Sequence, residues 1–133
     1  MTNTYALSPK EFQSVSALEA KERFTHFVKR VADWELVWGL RNESGWVAAG
    51  DNENNSGFPV WPHPEYAAAC ATNEWADASP QSIDVRTFME SWLPNMAADC
   101  ILLAVFPTPN LHGVMVSAPE LLAALEQELA NYE

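Results

Sequence analysis

The chain predicts an α+β fold: a single two-layer domain whose sheet of about five strands, mostly antiparallel or mixed, packs with about four helices. Three observations carry this. The first is the stretch 99–117. Residues 101–106 (Ile-Leu-Leu-Ala-Val-Phe) are an unbroken apolar run, as expected for a strand buried on both faces. Pro107-Thr108-Pro109-Asn110 stops it, since two prolines in three residues cannot donate to a ladder, and Gly113-Val114-Met115-Val116 returns as a second strand. The second is helical spacing on either side of that hairpin, in Leu18, Phe24, Phe27, Val28 and Val31 before it and Leu121, Leu122, Leu125, Leu129 and Tyr132 after it. The third is punctuation. Ser8-Pro9-Lys10-Glu11 and Ser117-Ala118-Pro119-Glu120 both read as capping boxes with a proline in the first turn.

Taken in order, the chain opens a helix at Ser8 and continues into an amphipathic helix over about 17–32, with Lys21, Glu22, Lys29 and Arg30 off its apolar stripe. Residues 35–41 alternate, with Leu36, Trp38 and Leu40 on one face. Asn42-Glu43-Ser44-Gly45 is turn chemistry and 46–50 runs back as the partner strand, across which Trp38 and Trp46 can approach. The polar loop 51–57 is rich in oxygen ligands. It lacks the glycine and the bidentate glutamate of a calcium loop, so no metal is assigned to it. Residues 58–61 form a short strand, Pro64 starts a helix, and 73–82 reads as irregular. Asp84 is an N-cap for a helix burying Val85, Phe88, Met89, Trp92 and Leu93, which Pro94 ends or kinks. Residues 95–99 then lead into the central strand. No repeat, linker or low-complexity tract divides residues 1–133.

The 133 residues suffice for a core without disulfides, and 48% hydrophobic content with six tryptophans excludes a disordered chain. Cys70 and Cys100, each beside apolar neighbours, read as buried reduced thiols. No apolar run is long enough to span a membrane and the N-terminus lacks signal-peptide character, so a cytoplasmic location is expected. The formal net charge is −11 and uneven: residues 1–41 hold six of the seven basic groups, and residues 42–133 hold Arg86 alone against thirteen acids. Such a field repels nucleic acid and anionic membranes, attracts a basic protein partner, and also serves plain solubility.

Four segments carry a family resemblance. Val31-Ala32-Asp33-Trp34-Glu35, Phe58-Pro59-Val60-Trp61-Pro62-His63-Pro64-Glu65-Tyr66-Ala67, Phe88-Met89-Glu90-Ser91-Trp92-Leu93-Pro94 and Val105-Phe106-Pro107-Thr108-Pro109 occur in this order and spacing. Together they resemble the bacterial family called domain of unknown function 2750, over nearly the whole chain. The resemblance implies a small bacterial single-domain protein and brings no established activity, cofactor or catalytic residues.

Standard chemistry is not written in the spacing. The five glycines stand apart, so no phosphate loop forms; His26, His63 and His112 are isolated, as are the cysteines, so no zinc pattern forms; Gly-x-Ser-x-Gly is absent. No catalytic residue and no cofactor are assigned. Chain topology does select residues. The strand 58–61 reaches 101–106 through helical segments, which favours parallel strands. If they are neighbours, Trp61-Pro62-His63 and Phe106-Pro107-Thr108 leave the sheet at the same carboxyl end, where ligand sites of open sheets tend to lie. Trp61, His63, Phe106, Pro107 and Thr108 are therefore the candidate binding edge. The same residues also read as structural, with Trp61 in the core and His63 capping the helix behind Pro64. The leading functional expectation is a binding or protein-interaction module acting through its acidic face or the Trp61/Thr108 edge, one concrete form being an immunity- or antitoxin-like protein that neutralises a basic partner. The alternative is a small-molecule-binding protein or minor enzyme with a pocket near Trp61, His63 and Thr108. Homo-oligomerisation through a tryptophan patch is a third.

Overall fold

Two small sheets meet at one pair of tryptophans. The computed structural model describes residues 8–43, 45–47, 49–50, 56–72, 75–108 and 114–131, with the backbone alone for 49, 50 and 56. Among these, the helices are α1 (Pro9–Ser16), α2 (Ala20–Trp34), α3 (Pro64–Ala69), α4 (Val85–Thr87), α5 (Leu93–Ala98) and α6 (Ala118–Ala130). The strands are β1 (Leu36–Asn42), β2 (Gly45–Trp46), β3 (Ala49–Gly50), β4 (Ser56–Val60), β5 (Ser79–Asp84), β6 (Leu102–Val105) and β7 (Val114–Ser117). The class is α+β, as the sequence predicts. The strands divide into a three-stranded sheet, β2-β1-β5, and a four-stranded one, β3-β4-β6-β7. The return strand expected over 46–50 is shared between them: β2 pairs with β1 and β3 with β4.

The join is a reciprocal pair of main-chain bonds. Trp38 N–H donates to the Trp61 carbonyl at 2.9 Å and Trp61 N–H to the Trp38 carbonyl at 2.8 Å. β1 is consequently buried on both faces, with Val37 and Leu40 sealed and Trp38 nearly so. Trp46 does not meet Trp38. Its indole lies against Gly39, where an added Cβ would come within 2.9 Å of the ring, and it packs with Phe58 and Trp92.

The central hairpin forms as expected, with Leu103 opposite Val116 and Val105 opposite Val114. Ile101 lies before β6 and is exposed. β4 and β6 are parallel neighbours, Phe58 opposite Leu103 and Val60 opposite Val105, which places their carboxyl ends together. α2 and α6 pack on each other and over β6 and β7. Ser117 closes a complete capping box with Glu120, and Ser8 caps α1 by accepting from the Glu11 N–H at 3.1 Å. The amphipathic helix expected over 17–32 runs from Ala20 to Trp34, because residues 17–19 are spent turning out of α1.

Three expectations are corrected. Part of 73–82 is not irregular, since β5 pairs with β1 from Leu36↔Asp84 to Arg41↔Ser79. Its polar residues and Pro80 suit an edge strand, which needs donors on one side only. Of the two outcomes expected at Pro94, the helix does not end there but changes pitch just before it, and 95–99 is not a lead-in. α4 passes through a π-helical turn, Phe88–Trp92, into α5. Pro94 has no N–H to offer the Glu90 carbonyl four residues back, and the Leu93 N–H bonds to the Phe88 carbonyl five back, so the turn widens. Finally, Cys70 is buried but Cys100 is exposed, in a left-handed conformation (φ 58°) just after α5. The loop 51–57, whose ligand chemistry was weighed above, has residues 51–55 outside the described set, as are His112 and Tyr132.

Candidate functional site

The residues singled out by topology converge on the turn that ends β6. Phe106 holds a left-handed backbone (φ 56°), a conformation costing a non-glycine residue about 1–2 kcal/mol. Its surroundings fix it there. The Phe106 N–H donates to the Val60 carbonyl at 2.8 Å, extending the β4–β6 ladder by one bond. Its carbonyl accepts from Arg23 Nε at 3.0 Å, and its ring lies 4.7 Å from Tyr66 and 6.2 Å from His26 between centroids. The next carbonyl, of Pro107, accepts from Trp61 Nε1 at 2.7 Å and from Cys70 Sγ at 3.4 Å. One turn of chain is thus held by α2, by the residue ending β4 and by the end of α3.

Trp61 and Pro107 are in direct contact and fully or nearly buried with Phe106. His63 is only 5% exposed. Its Nδ1 accepts from the Glu65 N–H at 3.1 Å, so it is the N-cap of α3, the structural role weighed for it from the sequence. Its ring meets Tyr66 edge-on at 6.2 Å, and Tyr66 stacks on Phe12 at 5.1 Å. Thr108 is half-buried. Trp61, His63, Phe106 and Pro107 are therefore one connected cluster.

Sequence reasoning missed the cluster's charged member. Arg23 is 2% exposed; besides Phe106 it donates from a terminal nitrogen to the Leu18 carbonyl at 2.8 Å. Burial draws its guanidinium below the usual arginine value, though such a group stays protonated in proteins. The signal was present, because Arg23, Phe27 and Val31 stand at four-residue steps on one stripe of α2. Burial also pushes the Cys70 thiol up to about 11, opposed by its contact with Trp61, so this cysteine is not an activated nucleophile. His26 lies below its ordinary value, first through burial and then through Arg30, with Glu11 opposing. Its Nε2 is buried without a hydrogen-bond partner among the described residues, while Glu11 and Arg30 pair at 3.1 Å and tie α1 to α2.

A second place was invisible in the sequence. A groove of about 470 Å³ runs where α2 and α6 end beside α4. Among the described residues, Ala32, Met89, Leu129 and Ala130 give it apolar lining, Asp33, Glu35 and Glu126 give it three carboxylates, and Arg86 is its one cation. A neighbouring hollow of about 280 Å³ shares Asp33 and Glu35 and adds Leu36, Asp84 and Trp34, which is 38% exposed. The carbonyl ends of two helices add partial negative charge to that of the acids. Glu35 closes α2 in the left-handed conformation (φ 61°), a position glycine usually takes. Among the described residues no group of three or more His, Cys, Asp or Glu is arranged to hold a metal ion.

No helix among the described residues is long and apolar enough to cross a membrane. No curated protein and no solved structure matches the chain. A family model, described as a protein of unknown function (DUF2750), matches residues 24–125, a span that includes β1, Trp61, His63, Phe106 and Pro107, and the groove residues from Ala32 to Met89, and that begins one residue after Arg23. The chain belongs to the DUF2750 family.

Proposed function

We propose that this protein is a binding module for a lysine- or arginine-rich segment of a partner protein, docked in the groove at the ends of α2 and α6. The observation that carries the reading is the groove itself, with apolar lining for the stem of a docked segment and an excess of carboxylates over the single Arg86. Trp34, partly exposed, lines the adjoining hollow. The net charge of −11 adds long-range attraction for the same kind of partner. An immunity- or antitoxin-like role, neutralising a basic protein, is one form this takes. The described residues share one hydrophobic core, which supports reading the chain as a single domain.

The rival, a small-molecule site or minor enzyme at Trp61, His63 and Thr108, has less behind it. Trp61 Nε1 and Cys70 Sγ are spent on the Pro107 carbonyl, Arg23 Nε on Phe106, and His63 Nδ1 on the Glu65 N–H. The test is affinity capture from cell lysate at low and high salt with the wild type and the triple variant Asp33→Asn, Glu35→Gln, Glu126→Gln. Basic proteins held by the wild type at low salt, released at high salt and missed by the variant are expected. Equal capture by both, or none by the wild type, overturns the reading.

A further inference from the structure

The groove's single cation is the feature its acidity does not account for. Arg86 stands at the start of α4, where Asp84 Oδ2 accepts from the backbone N–H of Arg86 at 3.0 Å and of Thr87 at 3.2 Å. The side chain therefore springs from a fixed point. It is exposed, and it makes no ion pair among the described residues, although Asp33, Glu35 and Glu126 line the same groove. A surface that only had to attract cations would do better with a neutral residue here, since a like charge repels each lysine that docks. A guanidinium left unspent carries a planar fork of donors that matches a carboxylate.

We infer that Arg86 selects among basic partners by taking one carboxylate of the docked segment, so that the preferred segment is basic overall but carries an aspartate or glutamate where it passes the start of α4. The inference rests on the groove reading above and adds the partner's charge pattern to it. Asp33, Glu35 and Glu126 supply attraction and on-rate; Arg86 supplies register.

The probe is an amidated amphipathic peptide with leucines on one face and lysines on the other, together with a set of twins in which each lysine in turn becomes glutamate. Binding is read by fluorescence anisotropy at low salt to the wild type, Arg86→Gln and Arg86→Lys. In the wild type, one twin is expected to bind about threefold more tightly than the other twins, the size of a well-placed surface ion pair. Arg86→Gln should abolish that preference and tighten binding of the all-lysine parent, and Arg86→Lys should restore part of the preference without the fork geometry. Twins that all bind more weakly than the parent, alike in wild type and Arg86→Gln, overturn the role of Arg86 and leave the groove standing. Failure of the parent and every twin to bind the wild type overturns the groove reading and this inference with it.

Discussion

Replacing Trp61 with phenylalanine removes one buried donor while leaving the main-chain bonds of residue 61 in place. The Pro107 carbonyl then keeps Cys70 Sγ at 3.4 Å, a weak donor, in place of an indole N–H at 2.7 Å. Under-satisfying a buried carbonyl costs about 1–3 kcal/mol, and the remaining thiol holds it to the lower part of that range. The smaller ring leaves space in a fully buried position, adding about 1–2 kcal/mol. The expected loss is about 2–4 kcal/mol, a fall in Tm of roughly 10 °C for a chain of this length. Urea denaturation should show a lower midpoint with an unchanged m-value. Coupling is the sharper criterion. Cys70→Ala should cost about 1 kcal/mol more in the Trp61→Phe background than in the wild type, because only there does it strip the carbonyl of its last described donor. A Trp61→Phe loss under about 0.5 kcal/mol, or the same Cys70→Ala cost in both backgrounds, refutes the reasoning.

Two further outcomes follow from the buried titratable groups. Burial and Arg30 lower His26 from its ordinary 6.5, so the folded state binds fewer protons than the unfolded chain; stability is full above pH 6.5 and declines as pH falls from there toward the folded value. Urea midpoints between pH 8 and 5 should show this decline, and His26→Gln should flatten it; a slope unchanged in the variant would mean that another group is responsible. For the thiols, Ellman's reagent on the native protein should titrate one cysteine, the exposed Cys100, and both in denaturant. Rapid labelling of Cys70 in the native protein would contradict its burial and a pKa raised to about 11.

What was legible in the sequence was whatever rests on local pattern. The Ser117 box and the apolar run of β6 each report one constraint, and the long connection from Trp61 to β6, which favours parallel strands, placed Trp61, His63, Phe106 and Pro107 at one sheet end. β5 was illegible because an edge strand needs neither a continuous apolar face nor a full set of donors, and Ser79–Asp84 reads like a loop. The run through Pro94 was illegible because the proline's missing bond is absorbed by a change of helix pitch that no spacing rule anticipates. The groove is the extreme case. Asp33, Glu35, Arg86 and Glu126 are scattered over most of the chain, and only the packing of α2 on α6 beside α4 makes them neighbours.

The tryptophan pair that joins the two sheets bears on how the sequence is free to drift. Both bonds of the join run between main-chain groups, Trp38 to Trp61 and back. Every residue except proline supplies them. The joint thus does not depend on the ring: exchanging the indole at 61 costs the Pro107 anchor and leaves both bonds between the sheets in place. A proline at either position removes a donor from the joint itself, so selection against it acts on the topology and not on the packing.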